Sequence, residues 1–175
     1  MKQLIFLSRA VLVFALFAAC HKSNLNYEKD FNKSQQAWRS FKEASGNSYR
    51  YMVGGGTWTG IGWDTEITVT NGVVTRRHYQ VKVPNGYPIN IPADRMEWTE
   101  DAATLNTHTN SPAALPITLD EIYDKARVEW LIKRSNAKVY FEARNNGMIS
   151  SAGYVIDGCQ DDCFRGITIT SIQAL

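Results

Sequence analysis

One group of side chains on neighbouring predicted strands could bind a ligand. Arg76 and His78 are two residues apart in a segment of alternating character, and Trp63 lies in the segment before it. A basic group and an imidazole beside an indole ring could bind a small anion or a sugar. The same residues could instead be polar side chains at a sheet edge that extend their charged ends into water. Trp63, Arg76 and His78 are therefore the candidate ligand-binding residues.

The familiar catalytic motifs do not occur in the sequence. Gly54-Gly55-Gly56 lacks the Gly-Lys-Ser/Thr ending and the following helix that a phosphate-binding loop needs. No serine lies in a Gly-x-Ser-x-Gly motif. Glu100 and Asp101 are adjacent rather than convergent, so they do not predict an acid–base pair. We assign no catalytic residue and no cofactor from the sequence.

Two cysteines, Cys159 and Cys163, lie in a polar turn between two apolar segments. In an oxidising compartment they would form a disulfide, and closing so short a loop contributes roughly 2 kcal/mol. Zinc usually needs four ligands, and only His78 and His108 remain as candidates in the body of the chain. We predict the disulfide and no metal. A calcium site is the alternative, formed by the carboxylates of the same turn: Asp157, Asp161 and Asp162.

The N-terminus has the pattern of a secretory signal. Lys2 and Arg9 give a positive start, an apolar run follows, and Ala18-Ala19 precede Cys20. The apolar run is shorter than the about 20 residues that a transmembrane helix needs. A cysteine directly after two small residues resembles the lipobox of bacterial lipoproteins, in which the cysteine becomes the lipidated first residue. The alternative is an ordinary secreted protein in which Cys20 is incidental.

The charge balance bears on whether the protein could be attracted to nucleic acid. Removing residues 1–19 takes away Lys2 and Arg9 and no acid, so Lys plus Arg falls from 19 to 17 and equals the 17 Asp plus Glu. The mature chain is formally neutral, which gives no support for a nucleic-acid partner. A length of 175 residues with 44% hydrophobic content predicts one domain with a substantial core.

The apolar spacing predicts two helices and two groups of three strands. Aromatic residues at helical spacing from Tyr27 to Phe41 predict the first helix, with Asn24 or Asn26 as its cap and Gly46 at its end. Thr118-Leu119-Asp120-Glu121 is a capping box that opens the second helix, whose apolar face is Leu119, Ile122, Tyr123, Ala126 and Trp130. Alternating segments predict strands at 49–53, 63–70, 73–83, 138–144, 150–157 and 165–172.

The strongest turn signal is Asn71-Gly72, which is typical of a two-residue hairpin. Without a bulge, Glu66 would face Arg77, Thr65 would face His78, and Ile67 would face Arg76. This register places Arg76 and His78 on one sheet face with Trp63 and Ile67.

All five prolines lie between Pro84 and Pro116. We call residues 84–116 the cover, and a short strand around 95–99 would divide it. Thr104 to Ser111 should be its exposed and mobile part. Since binding residues concentrate on loops held by a scaffold, we expect a ligand or partner to contact the cover or the sheet face beside it. The alternative is a proline-stiffened surface with no chemistry.

The fold class is α+β: two helices packed on an antiparallel sheet of about six strands, in the order α-β-β-β-cover-α-β-β-β. The domains are a signal peptide at residues 1–19, a lipidated N-terminus and tether at 20–25, and a single α+β domain at 26–175. No sequence repeat relates the two halves.

The chain resembles small bacterial envelope lipoproteins that carry a domain of unknown function. The motifs behind this resemblance, over about residues 36–172, are Trp38, Asn47-Ser48-Tyr49-Arg50-Tyr51, Ile67–Val74, Leu119-Asp120-Glu121-Ile122-Tyr123 and Gly158–Cys163. The resemblance implies export and an α+β fold, and it carries no catalytic residue over.

Two functions follow as hypotheses. The first is a non-catalytic, lipid-anchored module of the bacterial cell envelope, facing an oxidising compartment. It would contact the membrane through its N-terminal lipid and bind an envelope protein or a small ligand. The second is an envelope hydrolase acting on a glycan or a peptide through groups such as Asp64, Glu66 and His78.

Overall fold

The structure is a computed structural model that describes residues 24–85, 88, 90–161 and 163–175. The predicted signal peptide and Cys20 lie outside the described residues. The elements, in chain order, are α1 (Glu28–Ala44), β1 (Tyr49–Gly56), β2 (Gly62–Thr70), β3 (Val73–Lys82), α2 (Ala93–Met96), β4 (Glu97–Asp101), α3 (Leu119–Lys125), a π-helix (Ala126–Trp130), β5 (Ala137–Glu142), β6 (Ser151–Ile156) and β7 (Phe164–Ala174).

The strands form one antiparallel sheet of seven strands, in the order β4-β3-β2-β1-β7-β6-β5. The α+β class with an antiparallel sheet is therefore confirmed, although the molecule is mostly sheet. The prediction of about six strands is one short because β4, inside the cover, joins the sheet beside β3. Besides the two predicted helices, the structure contains the single turn of α2 and the π-helix that continues α3.

Helix α1 packs its aromatic side against the sheet. Phe31 and Trp38 are buried, and Trp38 lies edge-on to Tyr49 of β1 with ring centroids 5.0 Å apart. The predicted caps Asn24 and Asn26 are wrong: the residue before the helix is Tyr27, with φ 56° and no side-chain cap. The helix ends two residues before Gly46, whose φ of 58° suits a glycine.

The second helix begins as predicted. Thr118 accepts from the Glu121 backbone N–H, and the Glu121 carboxylate accepts from the Thr118 N–H, which completes the capping box. The predicted apolar face is buried as a whole. Tyr123 joins this helix to α1, since its hydroxyl lies 2.8 Å from Ser34 Oγ and accepts from Ile149 N at 3.0 Å.

The Asn71-Gly72 turn forms as predicted, with φ of 52° and 80°, but the register beyond it shifts. Val69 still faces Val74, whereas Thr68 faces Arg76, so Thr75 is the extra residue of a β-bulge. One inserted residue reverses the face of every later side chain on β3. The predicted pairs Glu66–Arg77, Thr65–His78 and Ile67–Arg76 are therefore wrong. Ile67 faces Arg77 instead.

Asn24, two residues before the predicted domain start, already makes a backbone contact with the rest of the described chain. Asn26 N–H donates to Leu131 O at 2.8 Å, and Lys133 N–H donates to Asn24 O at 3.0 Å. This bridge ties the start of the described chain to the end of the π-helix. Among the described residues, no helix is long and apolar enough to span a membrane.

Candidate functional site

The bulge separates the three candidate ligand-binding residues. The inner face of the sheet is the one that the helices and the cover pack on, and it carries Trp63, which faces Val81. Arg76 and His78 lie on the outer face. Arg76 pairs there with Glu66 at 3.1 Å, and His78 Nε2 lies 3.5 Å from Glu97. The structure therefore does not bring Trp63 to the same site as the other two.

The groups suggested for a hydrolase also lie on the outer face. Glu66 is opposite His78 across β2 and β3, and Asp64 is opposite Gln80. Asp64 forms an ion pair with Lys82, as Glu66 does with Arg76. These carboxylates are held by cations along the strands, and they are not aimed together at one point.

The predicted cysteine pair is confirmed. Cys159 and Cys163 form a disulfide, with Cα atoms 5.9 Å apart. Asp157 and Asp161 lie in the same turn, whereas Asp162 lies outside the described residues. Within the described part of the chain, no cluster of three His, Cys, Asp or Glu side chains could hold a metal ion. The calcium alternative depends on Asp162 and stays a hypothesis.

A buried carboxylate on β4 organises the cover. Glu100 has no exposed side-chain surface, because it points to the inner face while Asp101 points outward. Glu100 accepts from the backbone N–H groups of His108 at 2.7 Å and Asn106 at 3.0 Å, and from Thr107 Oγ1 at 3.2 Å. This one side chain holds three consecutive residues of the β4–α3 loop (102–118) onto the sheet.

The positive partner of Glu100 comes from the neighbouring strand. Arg77 Nη1 lies 3.3 Å from Glu100 Oε2, and the Arg77 side chain is also buried. Burial raises the pKa of Glu100, but the N–H groups of His108 and Asn106, the His108 ring and Arg77 outweigh it and hold the pKa below its usual value. The carboxylate is therefore ionised wherever the protein is folded near neutral pH.

Aromatic rings continue this cluster across the inner face. Tyr79 and Trp98 stack with centroids 5.2 Å apart, and Trp98 stacks on His108 at 4.2 Å with an interplanar angle of 4°. The Arg77 guanidinium lies 4.8 Å from the centroid of Trp98. The His108 ring Nδ1 also lies 3.1 Å from Glu100. His108, which lies in the stretch predicted to be exposed, is thus part of a ring stack.

A cavity of about 780 Å³ lies between these rings and the cover. We call it the aromatic cavity. Its aromatic lining is Trp63, Tyr79, Trp98 and His108, and its polar lining comes from the cover: Asp94, Arg95, Thr107, Thr109, Asn110 and Ser111. The volume lies within the range of about 300–1,000 Å³ typical of small-ligand sites. Residues 104–111 are mostly exposed, as predicted, although Glu100 fixes 106–108.

A second cavity, of about 670 Å³, lies on the other side of Trp63. We call it the apolar cavity. It is bounded by β1, β7, the π-helix and the last part of the β4–α3 loop. Thr57, Trp63 and Pro112 line both cavities, so the two adjoin there.

The chain has no significant match among protein-family models, curated proteins or solved structures.

The alternation of side chains around Glu100 could have indicated this cluster, but the predicted register of β3 was wrong. Glu100 lies inside an alternating segment in which Trp98 is two residues earlier, so both side chains share a face. The candidate strand at 95–99 was placed too early to reveal this. Arg77 could be assigned to the same face only after the bulge at Thr75 was known.

Proposed function

We propose that the protein is a lipid-anchored, non-catalytic binding module of the bacterial cell envelope, and that it binds a small hydroxylated ligand such as a glycan fragment in the aromatic cavity. The observation that carries this proposal is the buried Glu100. It holds Asn106, Thr107 and His108 over the inner face, so that loop hydroxyl groups and strand aromatic rings line one cavity.

The lining suits a sugar because the two kinds of group are separated. A sugar ring has an apolar C–H face, which packs on an aromatic ring, and hydroxyl groups around its edge, which need hydrogen-bonding partners. Trp63, Tyr79 and Trp98 supply rings from the strands. Thr109, Asn110 and Ser111 supply hydroxyl and amide groups from the loop, where recognition residues are commonly found.

The anchoring part of the proposal depends on the N-terminal sequence. The signal pattern and Cys20 predict lipidation, and the resemblance to envelope lipoproteins agrees with it. The Cys159–Cys163 disulfide is compatible with an oxidising compartment. Mass spectrometry of the mature N-terminus should find a lipid on Cys20, and Cys20→Ser should release the protein from the membrane fraction. An unmodified N-terminus at another residue would overturn this part.

The hydrolase hypothesis has no comparable observation in its favour. Its groups Asp64, Glu66 and His78 lie on the outer face, outside both cavities, and they are spread along two strands. We therefore keep binding as the proposed activity.

The binding proposal is tested with two defined probes, N,N′-diacetylchitobiose and cellobiose. At least one should shift the indole N–H signals of Trp63 and Trp98 in an NMR titration. Trp98→Ala should weaken that binding at least tenfold, and the outer-face control Arg76→Ala should leave it unchanged.

Two outcomes contradict the proposal. If neither probe shifts either indole signal, the cavity does not bind such sugars. If mass spectrometry after incubation shows cleaved probe, and His78→Ala abolishes the cleavage, the hydrolase hypothesis replaces it.

A further inference from the structure

We propose that the apolar cavity is a second binding site, for a free fatty acid whose carboxylate lies at Lys125. This site is separate from the aromatic cavity, and the inference does not depend on the proposed sugar binding.

The lining of the apolar cavity has a different chemistry from that of the aromatic cavity. Thirteen of its seventeen described lining residues are apolar or glycine. Lys125 is the one charged side chain among them. Ligand sites commonly combine a mostly apolar wall with a few placed polar groups, and an apolar wall with one cation fits an acyl chain that ends in a carboxylate.

The wall shared with the aromatic cavity is fixed by close backbone contact. The Trp63 indole lies against Gly55, where a Cβ atom would be only 2.5 Å from the ring. Any other residue at this position would displace the indole. The glycine thus lets the indole lie directly on β1. Ile117 and Ile167 line the cavity together with this ring.

Exposed apolar side chains surround this cavity. Leu115 and Phe164 line it and are 60% and 40% exposed, and Trp58, next to the lining residue Thr57, is 80% exposed. Apolar side chains grouped in this way mark a surface that is covered in function. An acyl chain would cover Leu115 and Phe164 while it fills the cavity.

The junction between α3 and the π-helix supplies the charged end of the site. Lys125 immediately precedes the π-helix and Trp130 ends it, and Lys125 Nζ lies 5.8 Å from the Trp130 ring. π-Helical turns are rare and are frequent at functional sites. Lys125 also pairs with Glu129 at 3.5 Å, but both side chains are substantially exposed. Because such a pair is weak, a ligand carboxylate can compete with Glu129 for Lys125.

The test uses the full mature chain with Cys20→Ser, so that no lipid on the protein competes, and dodecanoate as the probe. Calorimetric titration below the micellar concentration should show one site. Lys125→Gln should weaken dodecanoate binding at least fivefold and leave binding of the uncharged dodecanol within twofold. The matched control is Lys138→Gln, an exposed lysine on the outer face, and it should change neither.

Two further variants test where the acyl chain of the ligand lies. Ala114→Trp, which fills the cavity, should abolish binding of both probes, and Leu115→Gln, at an exposed position that the fold tolerates, should weaken both. The absence of dodecanoate binding would overturn the proposal. Equal effects of Lys125→Gln on dodecanoate and dodecanol would also overturn it, as would binding that survives both loop variants. Binding to dodecanoate-free phospholipid vesicles, but not to dodecanoate, would assign the surface to a membrane instead.

Discussion

The two sides of the inner sheet face are closed by different physical means. Over β1 and β7, the helices close the face with apolar packing, as between Trp38 and Tyr49. Over β3 and β4, the β4–α3 loop closes it with hydrogen bonds to the buried Glu100. Apolar packing between α1 and β1 leaves little space, whereas the polar attachment holds the loop at a few points and leaves the aromatic cavity beside them. The apolar cavity lies where the π-helix, β1 and β7 meet the last part of the loop.

The largest expected effect comes from removing the charge of Glu100. Glu100→Gln keeps the shape of the side chain but leaves Arg77 buried without its partner, which typically costs about 3–5 kcal/mol. Urea unfolding of the two proteins measures the loss. Glu97→Gln is the matched control, since Glu97 pairs with His78 at an exposed position, where ion pairs contribute about 0–1 kcal/mol. Equal losses for the two variants would contradict the special role of the buried Glu100.

The helix-covered side is tested by Tyr123→Phe. The hydroxyl bonds to Ser34 and accepts from the Ile149 N–H, and its loss leaves these buried groups unsatisfied. The expected cost is about 1–3 kcal/mol in the same urea measurement. Tyr140→Phe, at an exposed position, is the control and should change stability little. The loop should stay closed in Tyr123→Phe. The amide hydrogen-exchange rates of Asn106 and His108 should therefore change only as far as the loss of global stability requires.

The pH dependence of stability should distinguish Glu100 from the other carboxylates. Its pKa is lower in the folded protein than in the unfolded chain, so its contribution is present above the unfolded value of about 4.5 and is lost as pH falls through the folded value. The stability difference between wild type and Glu100→Gln should be constant from about pH 5 to 7 and shrink below it. Repeating the series with His108→Gln in both proteins removes the ring that contacts Glu100. A difference that stays constant down to the acid transition would contradict the assignment.

The most local effect is expected in limited proteolysis of the loop. In the wild type, Glu100 holds Asn106 and His108, so the first cut should fall at the exposed residues Thr109 and Asn110. In Glu100→Gln, under conditions where it stays folded, cleavage should spread to 106–108 and become faster. A first cut in the Asn71-Gly72 turn or in α3 would contradict this layout.

Local signals explain why much of the fold could be predicted. The capping box at Thr118 and the two-residue turn at Asn71-Gly72 depend on contacts between residues a few positions apart, and both form as predicted. The Cys159–Cys163 pair is equally local. The prediction of the α1 cap failed, and here a distant residue is involved: the Tyr27 hydroxyl donates to Val139 O at 3.2 Å.

The candidate site could not be predicted in the same way. Whether Arg76 or Arg77 faces the interior depends on a single extra residue, Thr75, and a one-residue shift reverses the face of each following side chain. The predicted grouping of Trp63 with Arg76 and His78 failed for this reason. Glu100 escaped notice because its partners lie on a loop and on a neighbouring strand.

The sequence by itself determined the turn and helix signals, the alternation of the strands and the position of the cover, because these depend on short-range backbone preference and on the period of apolar residues. The tertiary structure alone decided which arginine is buried and that Glu100 holds the loop over the aromatic cavity. A buried charge is stable only when distant groups converge on it, and such convergence exists only once the strands are paired and the loop has packed on them.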